Sequence, residues 1–157
     1  MTGAKNRKPN IIRSLYLGEG VLEEVNLRLQ ARYKNIIREE VRYEGLNLGD
    51  AEIVLAAYGT MGRICKAVMQ QLRKEGINAG LIRPISLWPF PSEVFAQAAE
   101  KAKNFLVVEM SAGQMLEDVK LSVNGKAEVD FYGRMGGGIP EAEEIIKRVK
   151  NIIKKYG

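Results

Sequence analysis

No histidine occurs in the 157 residues, and there is one cysteine, Cys65. The first absence excludes imidazole acid–base chemistry and His-ligated metal sites. The second excludes a disulfide framework, a CxxC redox pair and a cysteine-ligated iron–sulfur cluster held within one chain. Aromatic residues are sparse, and no basic stripe interleaves with them, so nucleic acid is not an expected partner. No run of about 18 apolar residues exists, so no membrane-spanning helix is expected. Residues 1–14 are polar and basic and lack the apolar stretch of a signal peptide, which makes the cytoplasm the expected compartment.

What remains is a chain sized for one domain plus an extension, long enough to bury a real core. Lys and Arg number 24 against 19 Asp and Glu, a net charge of +5. The two signs are interspersed except at the Lys-rich C-terminus. Abundant Lys and Glu hint at heat adaptation.

Composition shifts once, near Asn47 and Asp50. Residues 1–49 read as an N-terminal loop and helical linker, and residues 50–157 as an α/β domain. Gly3 and Pro9 predict a loop at the start. Val25, Leu29, Ile36, Ile37 and Val41 recur near the helical period, predicting one long amphipathic helix over 21–43. Its apolar stripe must bury against this domain or another protein. Buried strands are predicted at 52–58, 78–83 and 105–110, and an alternating strand at 127–132. Helices are predicted at 61–75, 92–103 with Ser92 as N-cap, 114–123, and from Pro140 onward. In the last helix, Glu141, Glu143 and Glu144 sit at the positive end and Lys147, Arg148, Lys150, Lys154 and Lys155 toward the negative end. Strands that alternate with helices predict right-handed βαβ crossovers. The expected fold is a three-layer αβα sandwich with an open, mainly parallel sheet. Ligands and partners gather at the carboxyl ends of such strands.

Five features there carry candidate chemistry. AAYGTMGR, with Tyr58, Gly59, Thr60 and Gly62, reads as a phosphate turn or as a tight structural turn; it matches neither GxGxxG nor GxxxxGK[ST]. GRMGGGIP, with Arg134 and Gly136, reads as an anion nest or as a flexible loop. The three Glu that follow would repel a phosphate. Glu109 closes an apolar strand and is a candidate acid or base; the alternative is an acceptor for loop N–H groups or an Arg. Leu87-Trp88-Pro89-Phe90-Pro91 offers aromatic interface anchors, or side chains folded back on the core. Cys65 reads as a small core residue rather than a reactive thiol.

Three runs, YGTMGRICKAV, GLIRPISLWPFP and FLVVEMSAGQMLEDVKLSVNGKAEVDFYGRMGGGIPEAEEI, resemble the 2-oxoacid:ferredoxin oxidoreductases. They are similar to the C-terminal part of the alpha subunit, the domain related to the transketolase C-terminal domain, and to the 2-oxoisovalerate (branched-chain) type. TGAKNRKPNIIRSLYL and the helix through VRYE resemble the segment joining that domain to the preceding pyrimidine-binding domain, so the resemblance covers essentially the whole chain. It implies oxidative decarboxylation of a 2-oxoacid by a complex that uses thiamine diphosphate with Mg, iron–sulfur clusters, ferredoxin and coenzyme A. This chain lacks the GDG-then-Asn signature for the Mg-diphosphate, since Gly49-Asp50-Ala51 is not one. It also lacks Cys ligands for clusters. The resemblance therefore implies no catalytic, cofactor-binding or metal-binding residue here.

The loops holding Tyr58, Gly59, Thr60, Gly62, Glu109, Gln114, Arg134 and Gly136, with Trp88 and Phe90, are expected to be packing and interface elements. The expected role is structural, in a subunit that is inactive alone. The expected partners are thiamine-binding and iron–sulfur subunits, either as a separately encoded split subunit or as a piece of a longer alpha subunit. The alternatives are a regulatory nucleotide-binding module using residues 59–62 and a stand-alone interaction domain, homodimeric through helix 21–43.

Overall fold

The computed structural model describes residues 5–8 and 11–156; the loop expected at Gly3 and Pro9 lies outside them. Two compact units result, Met1–Glu39 and Glu40–Gly157. The first consists mainly of helix α1, Val21–Glu40, in which no residue is buried. The helix ends before the expected position 43. Residues 42 and 43 leave it because long-range pairing outcompetes helical periodicity. The Arg42 N–H donates to Ser86 Oγ (2.9 Å), and the Arg42 carbonyl accepts from the N–H of Ile85 (2.9 Å) and of Ser86 (3.1 Å). Strand β1, Tyr43–Leu46, follows directly.

The α/β unit continues as β2 (Ile53–Ala56), α2 (Gly59–Lys74), β3 (Ala79–Pro84), α3 (Ser92–Ala98), β4 (Asn104–Glu109), α4 (Gln114–Val123), β5 (Glu128–Gly133) and α5 (Ala142–Tyr156). The sheet order is β1-β3-β2-β4-β5. β1 runs antiparallel to β3, and the remaining pairs are parallel. The three-layer αβα sandwich with an open, mainly parallel sheet is thus the observed fold, with an antiparallel edge strand that the helical reading of 41–43 had hidden.

Strands β2 and β4 are buried along their whole length, as parallel strands covered on both faces must be. One core layer joins Leu55, Leu81, Leu106 and Val108 to α2 and α5 through Cys65, Leu72, Ile145 and Val149. The other joins Val54, Ile82, Phe105 and Val107 to α3 and α4 through Phe95, Val119 and Val123. The chain steps from β2 to β3 on one side and then crosses to β4 on the other. The topological switch point therefore lies between the carboxyl ends of β2 and β4.

Besides α1, helix α2 spans Gly59–Lys74 rather than 61–75, and α3 and α5 also differ from expectation. Helix α3 stops at Ala98 rather than 103, because the chain must turn into β4, where the Lys103 N–H donates to the Glu52 carbonyl (3.1 Å). Its N-cap is Pro91, not Ser92, and no side chain caps it. Phe90 instead stacks on Phe95, with ring centroids 5.2 Å apart. Those positions flank the cap as a hydrophobic staple does and fix the angle at which the chain enters the helix. Helix α5 begins at Ala142, two residues past Pro140, and the Glu141 carbonyl accepts its first bond from the Ile145 N–H (3.1 Å).

Charged pairs lock the far edge of the sheet. Arg73 forks onto both Asp50 oxygens (2.7 and 3.1 Å) and donates to the carbonyls of Ala79 (2.7 Å) and Asn47 (3.0 Å). It thereby ties the β1–β2 connection to the end of α2. Arg73 holds the Asp50 carboxyl below the usual range, Lys66 and Arg83 do the same for Glu44, and Lys150 and Gln71 for Glu75. A carboxyl whose folded-state value is depressed stabilises the fold above its unfolded value and loses that stabilisation as pH falls through the folded value. The thermal midpoint is accordingly expected to fall as pH drops below about 4, and Asp50→Asn is expected to flatten that acid limb. Calorimetry across the acid range checks both.

Candidate functional site

The site is the carboxyl edge of the sheet, and Glu109 organises its centre. Glu109 is the last residue of β4 and is wholly buried. Its Oε2 accepts from Ser111 Oγ (2.6 Å) and the Met115 N–H (3.2 Å), and its Oε1 accepts from the Leu116 N–H (3.0 Å). Met115 and Leu116 are the second and third residues of α4, whose N-cap, Gly113, has no side chain to offer. An acidic side chain from the preceding strand thus satisfies the orphan donors of that helix. All three bonds are internal, and they match the acceptor reading of Glu109 rather than an acid or base. The same edge requires Gly133. A Cβ there would lie 2.4 Å from the Ser111 carbonyl oxygen and 2.3 Å from Phe131 Cζ.

The turn after β2 is built for packing. Tyr58 is the half-buried N-cap of α2 and makes no side-chain cap bond. Gly59 takes a positive φ of 55° and, like Thr60, is exposed. Gly62 is buried because Arg83 lies across it; a Cβ at that position would meet Arg83 Cδ at 2.8 Å. Arg83 in turn donates to Glu44 (3.3 Å), which also accepts from Lys66 (2.8 Å). The G-x-x-G spacing at 59–62 therefore accommodates an arginine side chain from the neighbouring strand. Cys65, one turn further along, is buried, and burial pushes its thiol up to about 12. It is no nucleophile near neutral pH.

The aromatic loop splits in two. Phe90 faces inward onto Phe95, whereas Trp88 is 62% exposed. In the loop after β5, Arg134 donates to the Ile139 carbonyl (3.4 Å), its N–H donates to the Glu109 carbonyl (3.2 Å), and Gly136 has a positive φ of 63°. Gln114, the first residue of α4, is exposed. The candidates Tyr58, Gly59, Thr60, Gly62, Trp88, Phe90, Glu109, Gln114, Arg134 and Gly136 thus follow the carboxyl ends of the strands, whereas Cys65 lies in the core on α2. Those after β2, β4 and β5 are on adjacent strands, and Trp88 and Phe90 follow β3 on the other side of β2.

Other members of the surface went unnoticed in the sequence. Of eight exposed large apolar residues in the α/β unit, seven stand at the carboxyl edge: Tyr43, Ile85, Leu87, Trp88, Met110, Met135 and Ile139. The eighth, Leu121, lies on α4. Segments 84–91 and 110–113 contain no charged residue, and Arg42 and Arg134 flank them. Aromatic, Met and Arg enrichment with loss of Lys, Glu and Asp is the composition of a protein–protein interface core. Loop apolarity was the readable signal. Tyr43 was masked by its assignment to a helix.

Two substitutions probe this edge. Glu109→Ala strands three donors and is expected to cost about 3 kcal/mol, whereas Glu109→Gln keeps an acceptor and costs less. Gly133→Ala forces backbone apart and is expected to cost about 1–3 kcal/mol. Denaturant titration of each variant reads these losses.

Residues 51–145 match the family described as pyruvate:ferredoxin oxidoreductase core domain II. The chain is 42% identical over 150 residues to the ketoisovalerate oxidoreductase subunit VorB of Methanothermobacter marburgensis, covering 96% of this chain and 42% of that protein. It thus spans about two-fifths of the length of that relative. Among solved structures it superposes on a 2-oxoglutarate:ferredoxin oxidoreductase from Magnetococcus marinus with a TM-score of 0.72 at 20% identity, over 87% of this chain and 24% of that one. A split-gene transketolase matches with a TM-score of 0.58 at 18% identity, over 69% and 40%. Both share the fold. The chain belongs to the family of pyruvate:ferredoxin oxidoreductase core domain II, whose members here are subunits of 2-oxoacid:ferredoxin oxidoreductases.

Proposed function

We propose that this chain is the assembly domain of a thiamine-dependent 2-oxoacid:ferredoxin oxidoreductase acting on a branched-chain 2-oxoacid. Its role is structural, and the carboxyl edge is the surface that docks onto thiamine-binding and iron–sulfur subunits. The observation that carries this reading is the collection of exposed apolar side chains on the loops at one edge of the sheet, where segments 84–91 and 110–113 hold no charged residue. Similarity to a ketoisovalerate oxidoreductase subunit supports the substrate class.

The residues present do not fit the cofactors of such a complex. Among the described residues no three Cys, Asp or Glu side chains converge as metal ligands, and Cys65 is a buried thiol. Glu109, the acidic group at the switch point, is engaged by its own loop and helix. In this reading thiamine diphosphate with its Mg and the iron–sulfur clusters are held by other parts of the complex, through which ferredoxin and coenzyme A are reached. Among the described residues no helix is long and apolar enough to cross a membrane.

The test is affinity purification from the native extract, with mass spectrometry of what co-elutes and an assay of 2-oxoacid-dependent dye reduction. Thiamine-binding and iron–sulfur subunits are expected in fixed ratio with the chain, and activity is expected only in the complex. Trp88→Ala is expected to weaken assembly at least tenfold, and Leu121→Ala on the opposite surface to leave it unchanged. Turnover of a 2-oxoacid by the purified chain alone, or equal effects of the two variants, would overturn the reading.

A further inference from the structure

A cavity of about 200 Å³ opens between strand β5 and helix α5, apart from the carboxyl edge. Leu106 and Ile152, both buried, form its floor. Asp130 lines one wall, and its Oδ2 is buried with no hydrogen-bond partner among the described residues. Arg148, Asn151 and Lys155 line the opposite wall from successive turns of α5. Neither cation is ion-paired to Asp130. Arg148 is held with its guanidinium carbon 4.1 Å above the centre of the Tyr132 ring, and Lys155 Nζ lies 2.5 Å from Tyr156 Oη.

Each wall makes a chemical demand. A buried acceptor without a donor requires one. Of the two cations, Arg148 has no ion pair to a carboxylate among the described residues and Lys155 is attracted by Asp130 and Glu128 without an ion pair to either, and such a wall favours an anion. A floor of Leu and Ile favours an aliphatic group. A zwitterion with an aliphatic side chain meets all three. Size agrees, because a cavity of about 150 Å³ holds benzene and this one is larger. We propose that the β5–α5 cavity binds a small aliphatic α-amino acid. Its ammonium donates to Asp130 Oδ2, its carboxylate accepts from Arg148 and Lys155, and its side chain rests on Leu106 and Ile152. The site is separate from the proposed docking surface and does not depend on that reading.

Titration of the ¹⁵N-labelled chain with L-leucine tests the proposal. Saturable shifts are expected at the amides of residues 129–132 and 148–155, with a Kd of about 1 mM. Isopentylamine, which lacks the carboxylate, and 4-methylpentanoate, which lacks the ammonium, are each expected to bind at least tenfold more weakly. Asp130→Asn and Arg148→Gln are each expected to abolish the leucine shifts, with the dispersion of the free spectrum reporting that the variant folds. Absence of saturable shifts at about 10 mM leucine would overturn the proposal and leave water as the partner of Asp130. Shifts that persist in folded Asp130→Asn, or equal affinity for the two analogues and leucine, would overturn it as well.

Discussion

Glu109 sits where three elements must meet. A parallel strand buried on both faces ends in the middle of the molecule, and the helix that follows begins with N–H groups that have no partner of their own. Gly113, the N-cap of α4, contributes no side chain, so the acceptors come from the strand itself. The buried Glu109 carboxyl binds Ser111 and the first turn of α4 together. The Glu109 carbonyl then takes the Arg134 N–H from the end of β5. The loops after β4 and β5 are held against each other by one residue, and Gly133 lets their backbones approach as closely as they do.

Around that centre the edge exposes apolar side chains. Met110, beside Glu109, and Met135, beside Arg134, are both exposed. The opposite edge has the reverse chemistry: Asp50 with Arg73, Glu100 with Lys126 and Glu75 with Lys150 are ion pairs near the amino ends of the strands. Exposed apolar side chains thus concentrate at the carboxyl end of the strands, whereas ion pairs hold the amino end and, through Glu44 with Arg83 and Lys66, also the end of β3. Charge at the amino end favours water, and apolar loops at the carboxyl end favour removal from water. Such a polarity gives a docking domain one preferred face.

The central fold was legible because its strands are apolar runs punctuated by Gly and Pro, and because each helix shows a clean stripe. Of the stripe of Ile145, Ile146, Val149, Ile152 and Ile153 in the last helix, the first four are buried as their spacing predicts and Ile153 is half-buried. What escaped was decided by partners far away in sequence. Tyr43 read as the end of a helix, and residues 44–46 carried no strand assignment, until β3 supplied a strand to pair with. Ser92 looked like a cap, but it is the first helical residue, and the stack of Phe90 on Phe95 fixes how the chain enters the helix. The reason Gly62 is glycine lies on Arg83, one strand over. The ends of the strands were legible as positions, since they follow from the order of strands and helices along the chain. The membership of the edge needed the structure, since exposure of Ile85 or Met135 is not a property of the residue alone.

Helix α1 makes the same argument from the other side. Its stripe of Val25, Leu29, Ile36 and Ile37 has the period of a packed helix, yet none of its residues is buried. A helix of this length is marginal in water without tertiary contacts, and exposed Leu22, Leu27, Leu29, Tyr33 and Ile37 leave it a large apolar surface. The α/β unit, by contrast, completes two core layers from its own residues. The two units therefore differ in what they need. The sheet domain is self-sufficient except at one edge, whereas the helix has stripe, length and periodicity but no core, so its stability must come from whatever surface it packs against.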